Sequence, residues 1–150
     1  MGKPNLLVDF DGVIHRYVSE WRGPARIPDP PVPGAIKFLC EAQEYFRVCI
    51  YSSRSCQFLG KWAMKRWIRK HFIYQVLWQN NEALMHWTIQ GGNNPESKTE
   101  VRKAANRLVK SLRFPTNKPR AFLTIDDRCV CFTGHFLRPS ELINFKPWNK

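Results

Sequence analysis

A chain of 150 residues, 43% of them apolar, is long enough to bury a core and short enough to form one domain. Its formal charge is +12, from 24 Lys and Arg against 12 Asp and Glu, which suits a polyanionic partner, with solvated surface lysines as the alternative. The five cysteines are odd in number and form no CxxC pair, which argues against a disulfide framework or a zinc ribbon and for reduced thiols.

Residues 5–10 predict a first strand, an apolar run ending in Asp9-Phe10-Asp11 and followed by Gly12. Residues 12–33 then hold Gly12, Gly23 and five prolines, too many for a long helix. A helix follows over 34–46, with Ile36, Leu39 and Cys40 on one side. A second strand spans 47–51 and ends in Ser52-Ser53. From Gln57 to about His71 the spacing predicts another helix, with Leu59, Ala63 and Trp67 on one stripe and Lys61, Lys65 and Arg69 on another. Residues 72–98 read as a small insertion facing substrate, with a short helix at about 80–89 and a loop at Gly91-Gly92-Asn93-Asn94-Pro95. Ser97-Lys98-Thr99-Glu100 is a capping box that opens a helix to about Leu112. A last strand, Phe122-Leu123-Thr124-Ile125, ends in Asp126-Asp127.

Strands alternating with helices predict a doubly wound parallel α/β sheet, in which ligands bind beyond the carboxyl ends of the strands. All three of these strands end in polar residues suited to chemistry. Two acids at i, i+2 share a crevice only when a cation joins them, and Mg²⁺ with oxygen ligands is the usual one. Strand ends carrying Asp-x-Asp, Ser-Ser and Asp-Asp together describe a phosphoryl-transfer site. Asp9 is then the candidate nucleophile, splitting hydrolysis into two steps through an aspartyl-phosphate. Asp11 is the candidate general acid and later base. Ser52, assisted by Ser53, would hold a phosphoryl oxygen, although either also suits an N-cap.

Asp9-Phe10-Asp11-Gly12-Val13 fits the DxDx[TV] signature of the haloacid-dehalogenase-like (HAD) phosphatase superfamily, and the order of Ser52, Lys118 and Asp126-Asp127 agrees with it. The chain resembles most the small members encoded by bacteria and phages. It resembles them in Ile27-Pro28-Asp29-Pro30-Pro31-Val32-Pro33-Gly34, in Ser52-Ser53-Arg54-Ser55, in Phe114-Pro115-Thr116-Asn117-Lys118-Pro119, in Ile125-Asp126-Asp127-Arg128 and in the tail Phe145-Lys146-Pro147-Trp148-Asn149-Lys150. The resemblance spans nearly the whole chain except about 72–98. It implies a Rossmann-like HAD core, with a tight turn and a β-hairpin flap over 12–33 and no large cap. It further implies Mg²⁺ held by Asp9, the backbone carbonyl of Asp11, Asp126 and Asp127. Lys118, in preference to Lys110, would neutralise the phosphate and pin Asp9.

Gly12, Ser53, Arg54 and Arg128 are the candidate phosphate- or substrate-binding positions, with surface ion pairing as the alternative for both arginines. His15, His71, His86 and His135 lack metal-ligand spacing, which speaks against zinc. Trp21, Trp78 and Trp87 suit either base stacking or core packing. Residues 54–120 carry 14 Lys and Arg and only three acids, so the charge is concentrated on part of the chain.

These features lead to a Mg²⁺-dependent phosphomonoesterase acting on phosphorylated nucleic-acid ends, of the 3′-phosphatase type, or on nucleotides. A small-molecule nucleotidase, a non-catalytic nucleic-acid-binding module and a phosphopeptide phosphatase are the alternatives. No run approaches the ~18 apolar residues of a membrane helix, no signal-peptide pattern is seen, and Leu6 breaks the myristoylation pattern, so a cytoplasmic location is expected.

Overall fold

Three short apolar runs pair in parallel to form the sheet, in the order β2-β1-β3. The computed structural model describes residues 2–131, 133–135 and 137–150. Strand β1 is Asn5–Val8, β2 is Arg47–Ile50 and β3 is Leu123–Ile125. The register sets Leu6 opposite Val48 on one side and Leu123 on the other. Chain connections leave β1 first toward β2 and then cross to β3. The point where direction reverses therefore lies between β1 and β3, where an open parallel sheet leaves a crevice for ligands.

Alternation along the strands decides what each side meets. Leu6, Val8, Val48 and Ile50 join one apolar core with the buried faces of four helices: α1 (Ala35–Ala42), α2 (Gly60–Leu77), α3 (Glu82–Gln90) and α4 (Lys98–Ser111). Each fully buried Leu, Ile or Val there stabilises the fold by roughly 1.5–3 kcal/mol. Leu7, between Leu6 and Val8, lies outside that cluster and lines the cleft described below.

Helix boundaries differ from the sequence expectation in two informative places. The second helix begins at Gly60, because a 3-10 turn over Ser53–Cys56 comes first, with Ser52 as its N-cap. A Cβ at Gly60 would lie 2.0 Å from the Arg54 carbonyl oxygen, so only glycine lets the helix start against that turn. The same helix continues past His71 to Leu77, because Met64, Ile68, Phe72 and Val76 extend one buried i, i+4 stripe.

The segment 72–98, expected as a small insertion, contributes Phe72, Val76 and Leu84 to the core. Asn81 caps α3 by accepting from the Leu84 N–H, and Leu84 and Thr88 are fully buried. Ser97 caps α4 as expected, accepting from the Glu100 N–H, while the Glu100 side chain pairs with Lys103 at 2.6 Å.

The proline-rich segment 12–33 contains no strand long enough to be a hairpin arm. Isolated bridges join His15 to Asp11 and to Pro31, and two hydrogen bonds (Arg16 N–H to Pro30, Val32 N–H to Ile14) hold it over the sheet edge. A short helix α5 (Pro139–Leu142) precedes the tail. There the Trp148 indole donates to the Gly12 carbonyl at 2.8 Å, and Asn149 donates to the Arg16 and Tyr17 carbonyls. Among the described residues no helix is long and apolar enough to cross a membrane.

Candidate active site

The ends of β1 and β3 bring their acids together because the strands are adjacent and in register. The Asp9 N–H donates to the Ile125 carbonyl at 2.9 Å, carrying the pairing one residue beyond the strands. Asp9, Asp126 and Asp127 each present an oxygen within 4.8 Å of the others. A cleft of about 290 Å³ opens over Asp9 and Asp126, lined also by Asp11, Ser52, Ser53, Lys118 and Arg128. Tyr17, Tyr51 and Thr124 complete its wall.

The electrostatics of this cluster are those of a site short of positive charge. Burial raises the Asp9 carboxyl to about 7; the Phe10 N–H, 2.7 Å from Oδ1, opposes this, and the charges of Asp126, Asp11 and Asp127 add to it. Asp127 is also raised, chiefly by burial. Both of its oxygens are shut off from solvent without a hydrogen-bond partner. The closest cation is Arg128, whose Nε is 3.9 Å from Oδ2. Gly12 faces this carboxylate: a Cβ there would meet Asp127 Oδ2 at 2.3 Å, and its φ of +94° is one that side chains avoid. The converging carboxylates, with both Asp127 oxygens unsatisfied, form a hard, oxygen-only donor set, which fits Mg²⁺.

Asp11 lies beside this cluster but belongs to a different network. Its Oδ2 accepts from Arg54 Nε at 2.8 Å, and its Oδ1 accepts from Arg54 Nη2 at 3.1 Å and bonds His15 Nδ1 at 2.8 Å. The Ser52 hydroxyl donates to Oδ2 at 3.4 Å. Burial alone would raise the Asp11 carboxyl, but the hydrogen bonds from His15 and Arg54 and the Arg54 charge outweigh it and hold the group below the usual carboxylate range. The far side of His15 is fixed as well: Nε2 accepts from the Asp29 N–H at 3.1 Å, which leaves the ring proton on Nδ1, pointing at Asp11. Asp29 in turn accepts from the Ser19 hydroxyl and N–H, at 2.6 and 2.8 Å.

Several expected residues fall elsewhere than the sequence reading put them. Arg54 does not reach the cleft. It is 1% exposed, and its Nη1 donates to the carbonyls of Gly23, Pro24 and Arg26 while Nε and Nη2 hold Asp11. Five internal acceptors within reach draw the guanidinium inward, and the Trp21 ring covers it at 4.3 Å. Gly12 supports Asp127 from below and does not line the cleft. Lys118 lines it, yet among the described residues no ion pair joins it to Asp9. Ser52 combines its two expected roles in part, capping the 3-10 turn while its hydroxyl faces Asp11. Asp11, expected as a proton donor, stands here as a carboxylate with its oxygens occupied. Trp87 packs between Phe72 and Arg107, Trp21 carries Arg54, and Trp78 stays exposed.

Sequence reasoning missed His15 and Asp29. The i, i+4 spacing of Asp11 and His15 was the available signal, but Asp29 joins only through the fold. Searched against protein-family models, curated proteins and solved structures, the chain matches none of them.

Proposed function

We propose that this protein is a Mg²⁺-dependent phosphomonoesterase that attacks phosphorus with Asp9, on phosphorylated nucleic-acid ends or on nucleotides. The observation that carries the reading is the cluster of Asp9, Asp126 and Asp127, whose oxygens converge at the cleft, with both Asp127 oxygens lacking a hydrogen-bond partner. Asp9, Asp126 and Asp127 would hold the metal. When bound, Mg²⁺ would offset the charge repulsion between the carboxylate and a phosphate dianion. Asp9 Oδ2 is the nucleophile, since Oδ1 is tied to the Phe10 N–H. The P–O bond to the leaving group breaks as the Asp9–phosphorus bond forms, and water then releases phosphate and restores Asp9.

Ser52, Ser53 and Lys118 would surround the phosphoryl oxygens. Asp11 delivers the proton to the leaving oxygen and takes one from the attacking water, and for this its side chain must turn from Arg54 and His15 toward the cleft it also borders. A doubly wound HAD-like core is part of the same proposal, supported by the parallel order β2-β1-β3 and the acids at its reversal point.

The engagement of Asp11 by Arg54 and His15 favours a second reading, a nucleic-acid-binding module of the same fold without turnover. One experiment separates the two. Phosphate release is measured with and without Mg²⁺ from 3′- and 5′-phosphorylated oligonucleotides, mononucleotides, phosphopeptides and an aryl phosphate. Release by the wild type that falls at least about a thousandfold in Asp9→Asn supports the enzyme. Wild type without turnover on any compound overturns it.

A further inference from the structure

The outer faces of α2 and α4 carry a basic groove, distinct from the acidic cleft. We propose that the groove between them docks single-stranded nucleic acid, with phosphates on Lys65, Arg66, Arg69 and Arg102 and a base against Trp62. Two adjoining hollows make the groove. One is lined by Trp62, Lys65, Arg66, Arg69 and Val109, the other by Arg66, Arg69, Lys70, Ile73 and Arg102, so that Arg66 and Arg69 belong to both.

Helical geometry explains why these residues share a face. Residues 62, 65, 66, 69, 70 and 73 recur at three- and four-residue steps along α2, a helix of 18 residues and about 27 Å. Positions 102 and 109 of α4 lie two turns apart on the flank that meets it. No carboxylate lines either hollow. Among the described residues none of these cations forms an ion pair, and Arg69 Nε is shut off from solvent without a partner. Like charges at i, i+4, as in Lys65 with Arg69 and Arg66 with Lys70, oppose helix formation. A row of phosphates would relieve that repulsion.

The aromatic component selects the class of polyanion. Trp62 is 52% exposed, and the Arg66 guanidinium lies 5.1 Å from its ring centroid. A basic track beside an exposed indole is the arrangement that holds unpaired bases by stacking while cations follow the backbone. An acidic peptide would use the charges and leave the indole idle.

The groove also points toward the cleft. Lys61, one turn before Lys65, donates to the Thr116 hydroxyl, and Lys65 lies 5.2 Å from the Phe114 ring centroid. Phe114 and Thr116 belong to the loop that carries Lys118 into the cleft. A strand lying on α2 would therefore reach the rim of the cleft at the N-terminal end of the helix. This last point rests on the phosphatase reading, whereas the docking itself does not.

The test is binding of a labelled, unphosphorylated 15-nucleotide dT oligonucleotide to the full chain in EDTA, followed by fluorescence anisotropy. Wild type should bind, with a log–log salt slope of about −3 for four contacts at about −0.7 each. Arg66→Glu/Lys70→Glu/Arg102→Glu, which alters only exposed residues, should weaken binding at least tenfold. Trp62→Ala should weaken it severalfold, and Lys3→Ala/Lys37→Ala, at residues that line neither hollow, should leave it unchanged.

Absence of wild-type binding at 50 mM salt, or binding indifferent to the triple variant, overturns the groove. Equal affinity for poly-glutamate with no effect of Trp62→Ala overturns the choice of nucleic acid, and tighter binding of a duplex overturns the single strand. Phosphate release from an aryl phosphate, assayed on the same preparations, shows separately whether the cleft reading stands.

Discussion

Asp9 is a half-buried carboxylate facing three others, and its acidity follows from that placement. With its folded value near 7 against an ordinary 3.8, the folded state holds more protons than the unfolded one between those limits. Stability from this group is therefore full below about pH 4 and lost as pH rises through about 7. Removing the charge should reverse the loss. Asp9→Asn in EDTA should raise the melting temperature at pH 8 by about 2–8 °C, equivalent to roughly 1–2 kcal/mol, with the gain shrinking at pH 5. A variant that melts lower than wild type at pH 8 would remove the account of a charge-strained cluster.

Arg54 shows the opposite case, a buried cation satisfied by Asp11 and by three carbonyls. Arg54→Met removes the fixed charge paired with buried Asp11, leaving it only His15 and Ser52, and should cost about 3–5 kcal/mol in urea unfolding. Arg54→Lys should recover only part of this, because an ammonium cannot replace the planar fork. Asp11 has a folded value below its ordinary one, so its contribution is present above about pH 4 and is lost as pH falls through the folded value. That acid-sensitive increment should be smaller in Arg54→Met, where only the His15 hydrogen bond still favours the carboxylate. A loss under 1 kcal/mol would mean that the pair is not what orders the segment around Gly23, Pro24 and Arg26.

At the scale of elements, α3 is the decisive one. Leu84 is fully buried between helices, and its amide is capped by Asn81. Leu84→Ala should cost about 2–5 kcal/mol, as for other core leucines, read from the shift in denaturation midpoint. If α3 were an appendage to the substrate surface, the same change would leave stability within experimental error. The aromatic and amide-rich composition of 72–98 hid this. Periodicity resolves a helix of nine residues poorly, and the amphipathic stripe that matters, Met64 to Val76, crosses the boundary expected near His71.

At the scale of the whole molecule, the converging carboxylates lie at the crevice between β1 and β3, while the cations in the groove between α2 and α4 have no carboxylate beside them among the described residues. Mg²⁺ should therefore stabilise the fold by binding it preferentially, by about 2.7 kcal/mol at a hundred times its dissociation constant. Asp127→Asn should abolish the shift in melting temperature. An equal rise in wild type and variant would place the ion elsewhere.

The strand ends were legible in the sequence because an apolar run followed at once by Asp or Ser constrains the backbone and the chemistry together. Asp9, Ser52, Lys118, Asp126 and Arg128 do face one cleft. The capping of α4 by Ser97 was legible for a similar reason, since a local hydrogen bond depends on residues only three apart.

Residue type and spacing thus determined the α/β alternation, the parallel strands and the identity of the acids at their ends. Only the tertiary structure decided which acids converge and which are neutralised. Asp11 and Asp9 are two residues apart, yet one meets Arg54, 43 positions on, and the other meets Asp126 and Asp127 across the sheet. Burial and long-range pairing set the charge state of a carboxylate, and neither is encoded in its neighbours along the chain.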